Sequence, residues 1–134
     1  MLRLRKDRGT VAVTVLLADD SEIMRRSIRR LLEEYPEIMI VAETQSFPET
    51  VQMAAELKPD VILLDLHMPN PANMAMEQIK AACSGSCVLA ISIFNDEETK
   101  VLGAGLGAVC FLDKADLGMK LVPAIQKLRP AASV

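Results

Sequence analysis

The run Val61-Ile62-Leu63-Leu64-Asp65 constrains the fold more than any other stretch of this chain. Four consecutive aliphatic side chains leave a strand no face for water. The run therefore fits a strand buried on both faces, as in a parallel sheet. Asp65 marks where that strand ends. In open α/β sheets the carboxyl ends of the strands hold the ligand site. Three further runs have the same form: Val13 to Ala18 ends at Asp19-Asp20, Val88 to Ile91 ends at Ser92, and Val109 to Leu112 ends just before Lys114. In a parallel sheet these exits share one edge, where three carboxylates, a hydroxyl and an ammonium converge.

A length of 134 residues predicts one domain with its own hydrophobic core. The composition is 51% hydrophobic, which excludes disorder over most of the chain. A net charge of −3 offers no general attraction for nucleic acid or a membrane surface. Only 3% of residues are aromatic and none is Trp, which argues against a base-stacking surface. Cys83, Cys87 and Cys110 are odd in number and lack metal-ligand spacing. They are expected to be reduced thiols in a cytoplasmic protein. No apolar run reaches the roughly 18 residues of a membrane span. Residues 1–10, with Arg3, Arg5, Lys6 and Arg8, are expected to be a flexible tail, 11–129 the folded domain, and 130–134 a tail or linker stub.

The chain reads as five β-α units. Strand one is Val13–Ala18. Helix one runs from Ser21 to about Glu34, with Ile23, Met24, Ile28, Leu31 and Leu32 on its buried face and Arg25, Arg26, Arg29 and Arg30 on a solvated one. Strand two is Ile38–Ala42. A capping box at Ser46-Phe47-Pro48-Glu49 starts helix two, which reaches about Leu57 and buries Val51, Ala54, Ala55 and Leu57. Strand three is Val61–Leu64, followed by a loop from Met68 to Asn73 and helix three from Met74 to Cys83. Strand four is Cys87–Ser92. Asn95-Asp96-Glu97-Glu98 caps a short helix four, which ends in Gly103-Ala104-Gly105-Leu106-Gly107. Strand five is Val109–Leu112, and helix five spans about Asp116 to Leu128 with Pro123 as a kink. Right-handed crossovers then place helices on both faces of the sheet. The fold class is a doubly wound α/β domain with five parallel strands and five helices.

Asp19, Asp20 and Asp65 crowd like charges together, so the pocket is poised for a cation. An all-oxygen ligand set suits Mg2+ rather than zinc or copper. A carboxylate beside Mg2+ can attack a phosphoryl group and carry it as an acyl phosphate. Lys114 can neutralise charge on that phosphoryl, and the Ser92 hydroxyl can bond one of its oxygens. Singly, each residue has an ordinary role: an Asp pair caps a helix, a Ser shapes a turn, a Lys is solvated. Jointly, four of the five strand exits carry a group that one reaction needs.

On these residues the chain resembles the receiver domain of two-component response regulators. The resemblance rests on Leu16-Leu17-Ala18-Asp19-Asp20, on Pro59-Asp60 through Met68-Pro69, on Ser92, and on Gly107-Ala108 through Asp113-Lys114. It covers about Val13 to Leu128 and is strongest toward receivers that precede a helix-turn-helix transcription domain. It implies a flavodoxin-like sheet of order 2-1-3-4-5. It implies that a sensor histidine kinase phosphorylates Asp65, and that Asp20, Asp65 and the backbone carbonyl of His67 bind Mg2+ with Asp19 acting through water. Lys114 would contact the phosphoryl, while Ser92 and Phe111 would form the switch pair. His67 and Phe94, with Ile93, would govern access and phosphoryl lifetime. The resemblance further implies a cytoplasmic signalling domain that catalyses only its own phosphorylation and dephosphorylation and controls transcription through a separate effector. It is expected to contact no nucleic acid itself, and to pair with a second copy through the face of helix four, strand five and helix five.

Three positions depart from the family pattern. Asn70-Pro71-Ala72-Asn73-Met74-Ala75 stands where an Asp-Gly is usual, Ile93 follows the switch hydroxyl in place of a small residue, and Ala115 replaces the common proline after the Lys. None removes a chemical group. The alternatives are a pseudo-receiver used only for protein contacts, a flavodoxin-like electron carrier and an aspartyl-phosphate hydrolase. Asp19-Asp20 would repel a flavin phosphate, and the Asp-x-Asp arrangement of the hydrolases is missing. The chain is expected to be a stand-alone receiver or a piece of a longer regulator.

Overall fold

The aliphatic runs form five strands: β1 (Val13–Ala18), β2 (Ile38–Thr44), β3 (Val61–Asp65), β4 (Cys87–Ser92) and β5 (Ala108–Asp113). All pairings are parallel, in the order β2-β1-β3-β4-β5. The computed structural model describes residues 12–128. The expected tails, 1–10 and 130–134, lie outside the described residues, as do the expected domain ends at 11 and 129. Five helices alternate with the strands: α1 (Glu22–Leu32), α2 (Phe47–Leu57), α3 (Met76–Cys83), α4 (Glu97–Gly105) and α5 (Leu117–Lys127). A 3-10 turn over Lys114–Asp116 precedes α5, which continues through Pro123.

Successive side chains of a strand point to opposite faces, so each central strand feeds two cores. Val15, Leu17, Leu63, Leu89 and Ile91 pack against Ile28 and Leu32 of α1 and Leu121 and Ile125 of α5. Leu16, Ala18, Ile62, Leu64 and Ala90 pack against Ala54 of α2 and Ile79 and Cys83 of α3. The two cores explain why β1, β3 and β4 lack alternation: no face of these strands meets water. Burial pushes the Cys83 thiol up to about 11, so it behaves as an apolar core group.

Five sequence expectations need correction. Ile23 is 75% exposed and does not share the buried face of α1. Arg25, expected in solvent, is 6% exposed; with Ile28 and Leu32 it lies on the inward stripe at helical spacing. Ala55 faces solvent, and α2 buries Phe47 and Thr50 beside Ala54. β2 runs on to Thr44 because its polar end keeps the ladder with β1: Glu43 pairs Leu17 and Thr44 pairs Ala18. Finally, α3 begins at Met76, not Met74. The Asn70 side chain accepts from the Met74 N–H and donates to the Met74 carbonyl, both at 3.0 Å. With Asn73 in the left-handed region (φ 53), this closes a turn that delays the helix.

Candidate functional site

Because the strands are parallel, β1, β3, β4 and β5 release their last residues at one edge. β1 delivers Asp19, whose N–H donates to the Thr44 carbonyl (3.0 Å). Its Oδ1 accepts from the Ser21 N–H (2.8 Å), and that serine in turn caps α1 through its hydroxyl. β3 ends at Asp65, whose Oδ1 accepts from the His67 N–H (3.1 Å). After β5, Lys114 reaches back: Nζ is 2.8 Å from Asp19 Oδ2 and 3.4 Å from Asp65 Oδ2. One carboxylate oxygen from each of Asp19, Asp20 and Asp65 falls within 4.8 Å of the others. Asp19 and Asp65 are buried while Asp20 is exposed.

Burial holds the Asp65 carboxyl above the usual carboxylate range. The Asp19 charge and a hydrogen bond that the protonated Asp65 carboxyl donates to Asp20 push the same way, against the His67 N–H and Lys114. Asp19 Oδ2 is buried with no hydrogen bond among the described residues, although Lys114 lies at ion-pair distance. A buried carboxylate oxygen without an aligned donor, beside two further carboxylates, fits a hard divalent cation or its water. When ionised, three carboxylates face one ammonium, an imbalance such a cation would offset.

The remaining expected residues surround this cluster. Ser92 ends β4 and is fully buried. Its hydroxyl accepts from the Phe94 N–H (2.9 Å) and, among the described residues, bonds none of the carboxylates. Ile93 is exposed, and Phe94 is 48% exposed. The Phe94 ring meets the His67 imidazole edge-on, with centroids 5.0 Å apart and planes at 77°. The two rings line an open cavity of about 460 Å³ with Asp96, Glu98, Thr99 and Leu102. Phe111 is partly buried against the second core. Its Cδ2 lies 3.7 Å from where a Cβ on Gly103 would stand, so it packs under α4. The peptide bond after Lys114 is trans, as are the others between described residues. Sequence reasoning missed Arg25, whose Nη1 donates to the Asp19 carbonyl (2.7 Å). Its spacing from Ile28 and Leu32 was the available signal.

The sequence matches the response regulator receiver domain over residues 15–126. LiaR, a transcriptional regulatory protein of Bacillus subtilis, is 32% identical over 115 residues, covering 85% of this chain and 54% of LiaR. The nitrate/nitrite response regulator NarL of Escherichia coli is 30% identical over 102 residues, covering 75% of this chain and 47% of NarL. A protein-glutamate methylesterase/protein-glutamine glutaminase of Geobacter sulfurreducens is 32% identical over 107 residues, covering 80% of this chain and 29% of that protein. The chain thus spans about half the length, or less, of these relatives. Among solved structures, the receiver domain of NarL from Mycobacterium tuberculosis superposes with a TM-score of 0.76 at 27% identity, covering 87% of this chain and 94% of that one. The strand order, the cluster of acidic residues at the strand ends and the sequence match over nearly all described residues agree: this chain belongs to the response regulator receiver domain family.

Proposed function

We propose that this domain takes a phosphoryl group from a sensor histidine kinase onto Asp65 and that the aspartyl phosphate reshapes its surface to control an output. The observation that carries this reading is the placement of Asp65: it ends the central strand, with Lys114 Nζ 3.4 Å from one oxygen and the carboxylates of Asp19 and Asp20 grouped with its own. Phosphorylation on Asp is general to the family.

In the proposed reaction an Asp65 oxygen attacks phosphorus. The P–N bond to the kinase histidine breaks, and its electron pair returns to the imidazole. The His67 N–H fixes the carboxylate rotamer through Oδ1, and Lys114 balances charge on the transferred group. Asp20, Asp65 and the His67 carbonyl would hold Mg2+, with Asp19 acting through water. When bound, Mg2+ neutralises charge on the phosphoryl oxygens. The Ser92 hydroxyl accepts from Phe94 and can turn its own proton toward a phosphoryl oxygen. Phe111 would then move inward, altering the face of α4, β5 and α5 that meets a partner or second copy. His67, Phe94 and Ile93 set water access and hence phosphoryl lifetime.

In this reading the domain, about residues 11–129, acts in the cytoplasm and turns over no separate substrate. No helix among the described residues is long and apolar enough to cross a membrane. Likeness to LiaR and NarL supports transcription control through an effector region, with no nucleic-acid contact by this domain itself. The test is transfer from a phosphorylated sensor kinase, or from acetyl phosphate with Mg2+, followed by intact mass. One added phosphoryl group, lost with chelator and in Asp65→Asn, is expected. Equal uptake by Asp65→Asn would refute the assignment, and no uptake by wild type would favour a contact-only module.

A further inference from the structure

We infer that Arg25 is a positioning residue for the metal-binding carboxylates: its guanidinium locks the Asp19-Asp20 peptide and so sets where the Asp20 carboxylate stands. This rests on reading Asp19, Asp20 and Asp65 as a Mg2+ pocket. A guanidinium cannot shed its charge, so burial demands acceptors around it. At 6% exposure Arg25 has three. Nη1 donates to the Asp19 carbonyl (2.7 Å), Nε to Glu43 Oε1 (3.1 Å) and Nη2 to Glu22 Oε1 (2.6 Å). Glu43 is itself fixed, by its place in the β1–β2 ladder and by Arg29 Nη1 at 2.7 and 2.8 Å. The fork thus ties α1 and β2 to one carbonyl at the end of β1.

That carbonyl matters because the peptide unit is planar. Orienting the Asp19 C=O orients the Asp20 N–H and places the Asp20 Cα. Asp19 is also held at its N–H by Thr44 and at its carboxylate by Ser21 and Lys114. Asp20 is the exposed member of the three, so its position depends on its backbone. Arg25 donates to that backbone, and its side-chain hydrogen bonds and ion pairs among the described residues go to the Asp19 carbonyl, Glu22 and Glu43 rather than to Asp65 or Lys114. It therefore acts through another residue rather than on the reacting atoms.

The experiment compares the full chain with Arg25→Met and Arg25→Lys. The Mg2+ dissociation constant is read by amide NMR titration, and the acetyl phosphate rate is measured across Mg2+ concentrations. Loss of a supporting contact to a metal ligand weakens metal affinity about 10-fold or more. Arg25→Met should show that weakening, with the half-maximal Mg2+ concentration raised in step and the maximal rate largely recovered at saturation. Arg25→Lys, which keeps one donor for the Asp19 carbonyl, should regain part of the affinity. Should Arg25→Met not fold, Glu43→Gln loosens the same guanidinium from β2 and should weaken Mg2+ in the same direction by a smaller factor. Unchanged Mg2+ affinity in folded Arg25→Met, or in Glu43→Gln where that variant replaces it, overturns the inference and leaves Arg25 a purely structural residue. Failure of wild type to take up Mg2+ overturns the reading of the pocket itself.

Discussion

At the scale of single residues, Asp65 links chemistry to stability. Its carboxyl is held above the usual range, chiefly by burial. Below that range both folded and unfolded chains are protonated there and nothing is lost. As pH rises, the unfolded chain ionises first, so stability falls until the folded pKa is passed and the cost becomes constant. With chelator at neutral pH, Asp65→Asn should therefore raise Tm by a few degrees, the scale on which about 1 kcal/mol registers in a domain this size. The gain should shrink toward about pH 3, below the ordinary carboxylate pKa. Thermal melts across pH check this; a gain that grows as pH falls would contradict it. Phe94 is the second residue with a measurable consequence. Its ring stands edge-on to His67 and offers water no hydrogen bond, while exposed Ile93 adds bulk beside it. Slow loss of the phosphoryl group is expected. Phe94→Glu should shorten its half-life several-fold, about 1 kcal/mol of barrier, followed by the decay of the phosphorylated mass. A half-life unchanged in Phe94→Glu but sharply changed in His67→Ala would reverse the ranking of the two rings.

At the scale of elements, α1 joins fold to site. Ser21 caps it by accepting from the Met24 N–H (3.1 Å), and its own N–H holds Asp19. Ser21→Ala removes only the first contact and should cost about 1 kcal/mol in urea unfolding; no loss would mean that the cap contributes little. The strands were legible because short unbroken aliphatic runs bounded by polar residues admit few other fates in an α/β chain. The polar end of β2 was not, since nothing local marks Glu43 and Thr44 as strand; their ladder with β1 does. For Arg25, charge alone predicts a place in solvent. Three acceptors brought together by tertiary structure reverse that expectation. The late start of α3 depends on a side-chain turn at Asn70, whose geometry outweighs the helical preference of the residues that follow.

At the scale of the whole molecule, strand order converts four separate sequence signals into one pocket. Asp19, Asp65 and Lys114 meet as the exits predicted, whereas Ser92 and Phe111 lie beside that contact, bonded to Phe94 and packed under α4. Sequence spacing locates these residues but not their side-chain partners, which depend on packing between elements. Exposed Val101, Val109 and Met119 mark α4, β5 and α5 respectively. A shift of Ser92 and Phe111 between existing arrangements would reshape that face. NMR of the fluoroberyllate-bound protein should place its largest changes at Ser92 and Phe111 and extend them across this face; changes confined to the acidic cluster would mean that site and surface are uncoupled. The most direct measurement of the central claim is chemical trapping. An acyl phosphate is reduced by borohydride to an alcohol, turning the modified aspartate into homoserine. After reaction with acetyl phosphate and Mg2+, peptide mapping should find homoserine at position 65 and nowhere else. Homoserine at position 19 or 20, or phosphoryl uptake with position 65 still aspartate, would contradict the account.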